Sequence, residues 1–253
     1  MGLFVLFIQK ESLFAGLMTL KLHNLNGSIA DMEKETKLRW SNYLIELLLV
    51  IVGITIAFWL NNSAINRNNK QAEVSYLADI RHDLKTDSTR LFVNVKFNEV
   101  KSQKLGYALE LISKSAPIDS VLVNVLEIGN YDFFNPDNFT LTSLLQSGDF
   151  KLIHSDEIQK ELLRLLKVYE SIDFMQKNFL QALDDNYFPM LLSKVDMLQF
   201  EAIDPAFFYG IEIKNYCAFT LNETSQHIRS YKYAQNQVNK VSKLIDAELN
   251  KYN

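Results

Sequence analysis

The run "YLIELLLVIVGITIAFWL", residues 43–60, constrains this chain more than any other stretch. It holds eighteen residues, twelve of them Leu, Ile, Val or Phe, and one charged side chain, Glu46. A bilayer's hydrocarbon core, about 30 Å thick, takes roughly 20 helical residues. On an insertion scale the twelve apolar side chains favour the membrane by about 4 to 7 kcal/mol, an upper figure because terminal residues count for less. A charged carboxylate at mid-bilayer costs about 2.5 to 3.5 kcal/mol. Glu46 lies off centre, so its cost is smaller and insertion wins. Trp40 and Tyr43 at the start of the run, with Phe58 and Trp59 at its end, sit where interfacial aromatics belong. The run predicts a single membrane-spanning helix rather than a buried soluble one.

A cleaved signal peptide is a poor match. The run exceeds the usual apolar region of about 7–15 residues, and "NNSAIN" offers no small-x-small cleavage site. An uncleaved signal anchor is expected. Lys34, Lys37 and Arg39 precede the run, while Arg67 and Lys70 follow it. This bias points to a cytoplasmic N-terminus and an exported C-terminal body, which in a bacterium means the inner membrane and the periplasm. In the lead, residues 1–42, "MGLFVLFIQKESLFAGLMTL" is apolar but broken at Gln9-Lys10-Glu11-Ser12. Neither half crosses a bilayer, and two readings stand. The segment lies in the interface as a helix, or the native chain starts at Met32 and residues 1–31 do not belong to it. A peptide from residues 2–31 in the mass spectrum of the native protein excludes the second.

The chain after the run reads as all-α. Only 8 Gly and 4 Pro occur in 253 residues, too few for a turn-rich β fold. A long juxtamembrane helix is expected over residues 61–114, with Leu77, Ile80, Leu84, Leu91 and Val95, then Leu105, Leu109 and Ile112, at three-and-four spacing. "SAPIDS" (115–120) stops it at Pro117. Within the body, residues 115–253, short helices are expected over 119–128 and 139–147, with "FNPDNF" (134–139) as a turn and Gly148 closing a helix. Ile158, Leu162, Leu165, Tyr169, Ile172, Phe179 and Leu183 hold a heptad register, interrupted by Gln176. Ser155 is placed to cap that helix, Asp156 and Glu157 suit its first turn, and Pro189 limits it. A last helix over 212–252 carries Ile228, Tyr231, Val238, Ile245, Leu249 and Tyr252. Three long helices with short ones between them predict an antiparallel bundle packing with the juxtamembrane helix.

"IELLLVIVGITIAFWLNN", "NPDNFTLTSLLQSGDFKLIHSDEIQKELLRLLKVYE" (135–170) and "LIDAELNKY" (244–252) resemble an uncharacterised family of bacterial single-pass membrane proteins. The resemblance covers residues 32–253. It departs from the family pattern at Ile45, where Gly usually precedes the anchor glutamate. It implies an N-terminal anchor and an exported helical body, and carries no activity over.

No catalytic, cofactor-binding or metal-binding residues are assigned. The histidines are His23, His82, His154 and His227, and no Glu-x-x-His unit of a di-iron bundle occurs. "HSDE" (154–157) reads as a solvated helix start, and "ETSQH" (223–227) as a Glu223–His227 pair on a helix face. Asp184 and Asp185 read as solvated helix surface. No G-x-S-x-G, phosphate loop, dinucleotide fingerprint or His-Glu-x-x-His motif is present. The lone Cys217 rules out an internal disulfide, leaving a buried thiol or an intermolecular bridge. Residues 71–253 carry 19 Lys and Arg against 25 Asp and Glu, a poor match for nucleic acid.

Glu46, Gly53 and Ala57 fall on one helix face. Gly53 and Ala57 form a small-xxx-small pair that lets two backbones approach in lipid, and a protonated Glu46 could hydrogen-bond across it. Homo-oligomerisation through this face, or binding to a partner protein, is expected. The expected role is a non-enzymatic, membrane-anchored scaffold or interaction module. The alternative is an extracytoplasmic ligand-sensing domain, which would need a partner chain to supply a cytoplasmic output.

Overall fold

The computed structural model describes residues 3–252, with side chains described from residue 43 onward. The side chain of Trp40, one of the four expected interfacial aromatics, therefore lies outside the described residues, as do all side chains of the lead. The described residues are all-α apart from one two-residue ladder. It divides into two compact units, Met1–Arg67 and Asn68–Asn253. The first helix, α1 (Leu3–Ser113), is continuous through residues expected as a lead, a span and a juxtamembrane helix.

Within the second unit α1 buries Leu77, Ile80, Leu84, Leu91 and Val95, then Leu105, Ala108, Leu111 and Ile112. This is the single apolar stripe of a helix that faces a core on one side and water on the other. Its end is a Schellman closure. The Ala116 N–H donates to the Leu111 carbonyl (3.0 Å), the Ser115 N–H donates to Ile112 (3.2 Å), and Ser115 takes φ = 49°. Pro117 follows and cannot continue the helix.

The chain then turns back along α1. This return runs through α2 (Ile118–Val125), a 3₁₀ turn (Leu126–Gly129), an extended stretch over 130–138, α3 (Phe139–Ser147) and a second 3₁₀ turn (Asp149–Leu152). Gly148 joins the last two at φ = 80°, the left-handed conformation that glycine adopts without penalty. Side chains of α1 hold the return in register: Asn94 Nδ2 donates to the Asp132 carbonyl (3.1 Å), Arg90 Nη1 to the Asn135 carbonyl (3.0 Å), and Asp87 Oδ1 accepts from the Asp137 N–H (2.7 Å). Numbers fall on α1 as they rise on the return, so the two are antiparallel.

The third column, α4 (Asp156–Ala182), runs parallel to α1, as the Tyr169–Asp87 and His154–Glu73 contacts require. Ser155 caps it, its Oγ accepting from the Ile158 N–H. Pro189 does not end this column. The helix widens into a π turn (Leu183–Tyr187), and α5 (Phe188–Lys194) restarts with the proline in its first turn. A π turn is where a helix absorbs a local fault in its hydrogen-bond ladder, such as the N–H a proline lacks. A tight antiparallel hairpin follows, β1 (Val195–Asp196) pairing with β2 (Glu201–Ala202), then a 3₁₀ turn (Pro205–Tyr209). The last helix, α6 (Ile211–Leu249), runs antiparallel to α1 and α4, with Lys232 against Glu99 (2.8 Å) and Lys240 against Glu161 (3.0 Å). The body is thus a four-column bundle whose directions alternate along the chain. Three columns are long helices and one is a broken return.

Candidate functional site

Two regions carry chemistry beyond simple packing: the apolar segment of α1, and a polar layer inside the body. A third, the hairpin, exposes apolar side chains.

Residues 43–60 form part of the one described helix long and apolar enough to cross a membrane, and none of this window is buried. Tyr43, Phe58 and Trp59 are exposed, as are Glu46, Gly53 and Ala57. At about 100° per residue, seven residues bring Gly53 back beneath Glu46, and four more bring Ala57 onto the same side. A Cβ placed on Gly53 would meet nothing within 4 Å, so the glycine leaves a groove rather than relieving a clash inside the chain. The Thr55 hydroxyl, the most polar group of the segment's second half, is tied back to the Ile51 carbonyl at 2.8 Å. That local bond satisfies it without water.

In the body the apolar core is two clusters rather than one. The first joins Leu77–Val95 of α1 with Ile158–Ile172 of α4 and Tyr231–Ile245 of α6. The second joins Leu105–Ile112, Val121–Ile128, Phe179–Val195 and Phe208–Cys217. Between them every long helix contributes buried polar residues: Asn98 and Lys101 from α1, Gln176 from α4, and Thr220, Thr224 and His227 from α6. Gln176, the polar break in the heptad register, is a clamp. Its Oε1 accepts from the Phe134 N–H (2.9 Å) and from the Tyr231 hydroxyl (2.7 Å), and its Nε2 donates to the Phe134 carbonyl (3.0 Å). One side chain therefore satisfies both backbone groups of Phe134 in the extended return, which has no ladder of its own.

Lys101 does the same for the 3₁₀ turn. Its ammonium donates to the carbonyls of Ile128 (3.2 Å) and Asn130, and lies 4.9 Å from the centre of the Phe179 ring. Burial pushes its pKa down to about 8, with Glu127 opposing the shift. His227 stacks on Tyr231 (5.8 Å) and meets the Phe179 ring edge-on (5.4 Å). Burial, then the Lys101 charge, push its pKa down to about 4. Its Nε2 and the Thr220 hydroxyl are buried with no hydrogen-bond partner. The layer holds a neutral imidazole and a cation close together in an aromatic setting.

This corrects the Glu223–His227 pairing. His227 turns into the core, and Glu223 instead accepts from Gln226 Nε2 at 3.1 Å. At "HSDE" the capping role of Ser155 stands, but the His154 N–H and ring Nδ1 both meet the buried Glu73 carboxylate (2.7 and 2.8 Å). Asp184 and Asp185 are exposed. Cys217 is fully buried, and burial pushes its thiol up to about 12. A thiol so held stays protonated and out of reach of a second chain. Among the described residues no group of three or more His, Cys, Asp or Glu is arranged to hold a metal.

The hairpin differs from the rest of the body surface. Leu192, Met197, Leu198, Phe200 and Ile203 are all exposed within twelve residues, Leu198 at 93%. Asp196 Oδ1 accepts from the N–H groups of Leu198 (2.9 Å) and Gln199 (3.0 Å), which fixes the turn. No protein-family model matches the chain, and no curated protein or solved structure matches it either, so its function is read from its own residues.

Proposed function

We propose that this chain is a non-enzymatic, single-pass membrane protein whose helical body acts as a scaffold or protein-interaction module. The observation that carries the reading is a contrast in burial. Residues 43–60 turn apolar side chains outward on every side, whereas the body buries an apolar core in two clusters. A helix apolar all round needs an apolar surrounding, and a lipid bilayer is the one that suits its length. The basic residues before the segment favour a cytoplasmic N-terminus, placing the body in the periplasm of a bacterium with its anchor in the inner membrane. The Glu46–Gly53–Ala57 face is the proposed seam of a homo-oligomer.

Alkaline phosphatase, active only outside the cytoplasm, fused after Asn253 is expected to be active. An inactive fusion, with a cytoplasmic reporter active at the same point, reverses the topology. Purification of the solubilised full chain is expected to bring down a stoichiometric partner or a second copy. A chain that emerges alone and monomeric removes the scaffold reading.

A further inference from the structure

We propose that the β1–β2 hairpin is a docking surface for a protein partner presenting an amphipathic helix with an apolar stripe and basic flanks. The inference rests on the interaction-module reading and names the surface and the chemistry of its partner.

The surface is apolar where a soluble bundle has least reason to be. Leu198 and Phe200 are 93% and 62% exposed at the tip, and Leu192, Met197 and Ile203 are exposed around it. A contiguous exposed patch of this kind marks an interaction site more often than scattered single residues do. The tip is also built rather than loose. Phe200 adopts φ = 56°, a left-handed conformation that a bulky aromatic rarely takes. Asp196 holds the turn through two backbone N–H groups. At its base the Ile203 N–H donates to the Lys194 carbonyl (2.9 Å), and Val195 is buried. The fold thus holds an aromatic in a disfavoured backbone conformation while leaving its ring in water. Strain of that kind persists only where the surrounding structure over-determines it.

Charge selects the occupant. Residues 195–203 carry Asp196 and Glu201, both exposed, and no Lys or Arg. The adjacent Lys194 and Asp204 pair at 3.3 Å, so neither adds to the balance. An anionic bilayer surface would be repelled by this rim, and two hairpins brought together would set like charges against each other. A partner with basic flanks meets the rim with opposite charge while its apolar stripe covers Leu198 and Phe200.

The test uses the full chain in nanodiscs of zwitterionic lipid, with empty nanodiscs as reference. The probes are a synthetic Leu/Lys amphipathic helix and its Leu/Glu counterpart. The Leu/Lys peptide is expected to bind saturably, and the Leu/Glu peptide not to bind. Leu198→Asp is expected to weaken binding at least tenfold, and Glu201→Lys to weaken it several-fold. Leu198 is so exposed that its replacement leaves the core intact, and an unchanged melting curve checks this. Equal binding of both peptides overturns the proposal, as does unchanged affinity in Leu198→Asp. Self-association lost in that variant would assign the surface to a second copy, and loss of binding to phosphatidylglycerol vesicles would assign it to lipid; either overturns it. If the variant binds the peptide normally and the full chain still brings down a partner, the hairpin is wrong and the scaffold reading survives. If neither is seen, the scaffold reading itself falls.

Discussion

Two stretches of the same helix, α1, follow opposite rules. Over residues 43–60 every side chain is exposed and all but a few are apolar. Over residues 77–112 one stripe of apolar side chains is buried while Phe92, Val93, Val100 and Tyr107 stay exposed, and polar groups that enter the stripe, such as Asp87 and Lys101, have partners waiting. A continuous helical backbone says nothing about its surroundings. The angular distribution of its apolar groups does. The first stretch is complete only in a solvent of its own kind, while the second is complete only against the other three columns.

Removing residues 1–67 is expected to give the largest effect, an all-or-none change in where the protein is found. The full chain should sediment with membranes, and residues 68–253 should stay soluble and strongly helical by circular dichroism. A full chain in the soluble fraction would erase the distinction between the two stretches, and an insoluble or β-rich body would contradict the second half of it.

Gln176→Leu probes how the packed stretch tolerates polar groups. The change leaves the Phe134 N–H, the Phe134 carbonyl and the Tyr231 hydroxyl buried and unpaired, and should cost the body about 3 kcal/mol in urea unfolding. Tyr231→Phe removes one bond and leaves the clamp, and should cost about 1 kcal/mol. Equal costs for the two would show that the clamp on the return is not what Gln176 contributes.

His227 predicts a pH dependence. Its folded pKa, about 4, lies below the ordinary 6.5, so the folded state binds the proton less tightly than the unfolded chain. The stability this contributes is present in full above pH 6.5 and is lost as pH falls toward 4, on the order of 3 kcal/mol in all. Asp87, whose carboxyl is raised chiefly by burial, works in the opposite sense. The difference between the wild-type body and His227→Phe therefore isolates the histidine. A slope between pH 4 and 6.5 that survives the substitution would remove His227 as its source.

The smallest effect is expected in the exposed stretch. In a membrane two-hybrid reporter carrying residues 32–70, Gly53→Ile should lower the signal several-fold, and Glu46→Gln only slightly because an amide still hydrogen-bonds. An unchanged signal for Gly53→Ile would clear this face of any role in association.

Much of the body was legible because its signals are local. The stop at "SAPIDS", the Ser155 cap, the short helix ending at Gly148 and the stripes of α4 and α6 each depend on residues a few places apart. Pro189 misled because a proline forbids one hydrogen bond, and the π turn before it shifts the pattern so that this bond is not needed. The polar layer was only half visible. Gln176 announced itself as a fault in a heptad register, but Lys101 looks like any exposed lysine on a polar helix. Its partners, Ile128 and Asn130, are backbone carbonyls 27 and 29 residues away, and no side-chain pattern marks a carbonyl. Glu223 and His227 have the spacing of a surface pair, and it is the surrounding rings that draw the histidine inward.

The order of the columns bears on how the body comes into being. α1 is made first, yet its closest companions are made last: Lys70 lies over the Tyr252 ring, and Arg81 pairs with Asp246. A chain emerging N-terminus first must carry the Leu77–Val95 stripe without its α6 cover for some 150 residues of further synthesis. Contacts so distant along the chain are slow to close and leave apolar surface open to wrong partners meanwhile. Whatever shields that stripe until α6 arrives governs the yield of folded protein, and truncation of a single turn from the C-terminus would be felt at the first turns of the body rather than at its last.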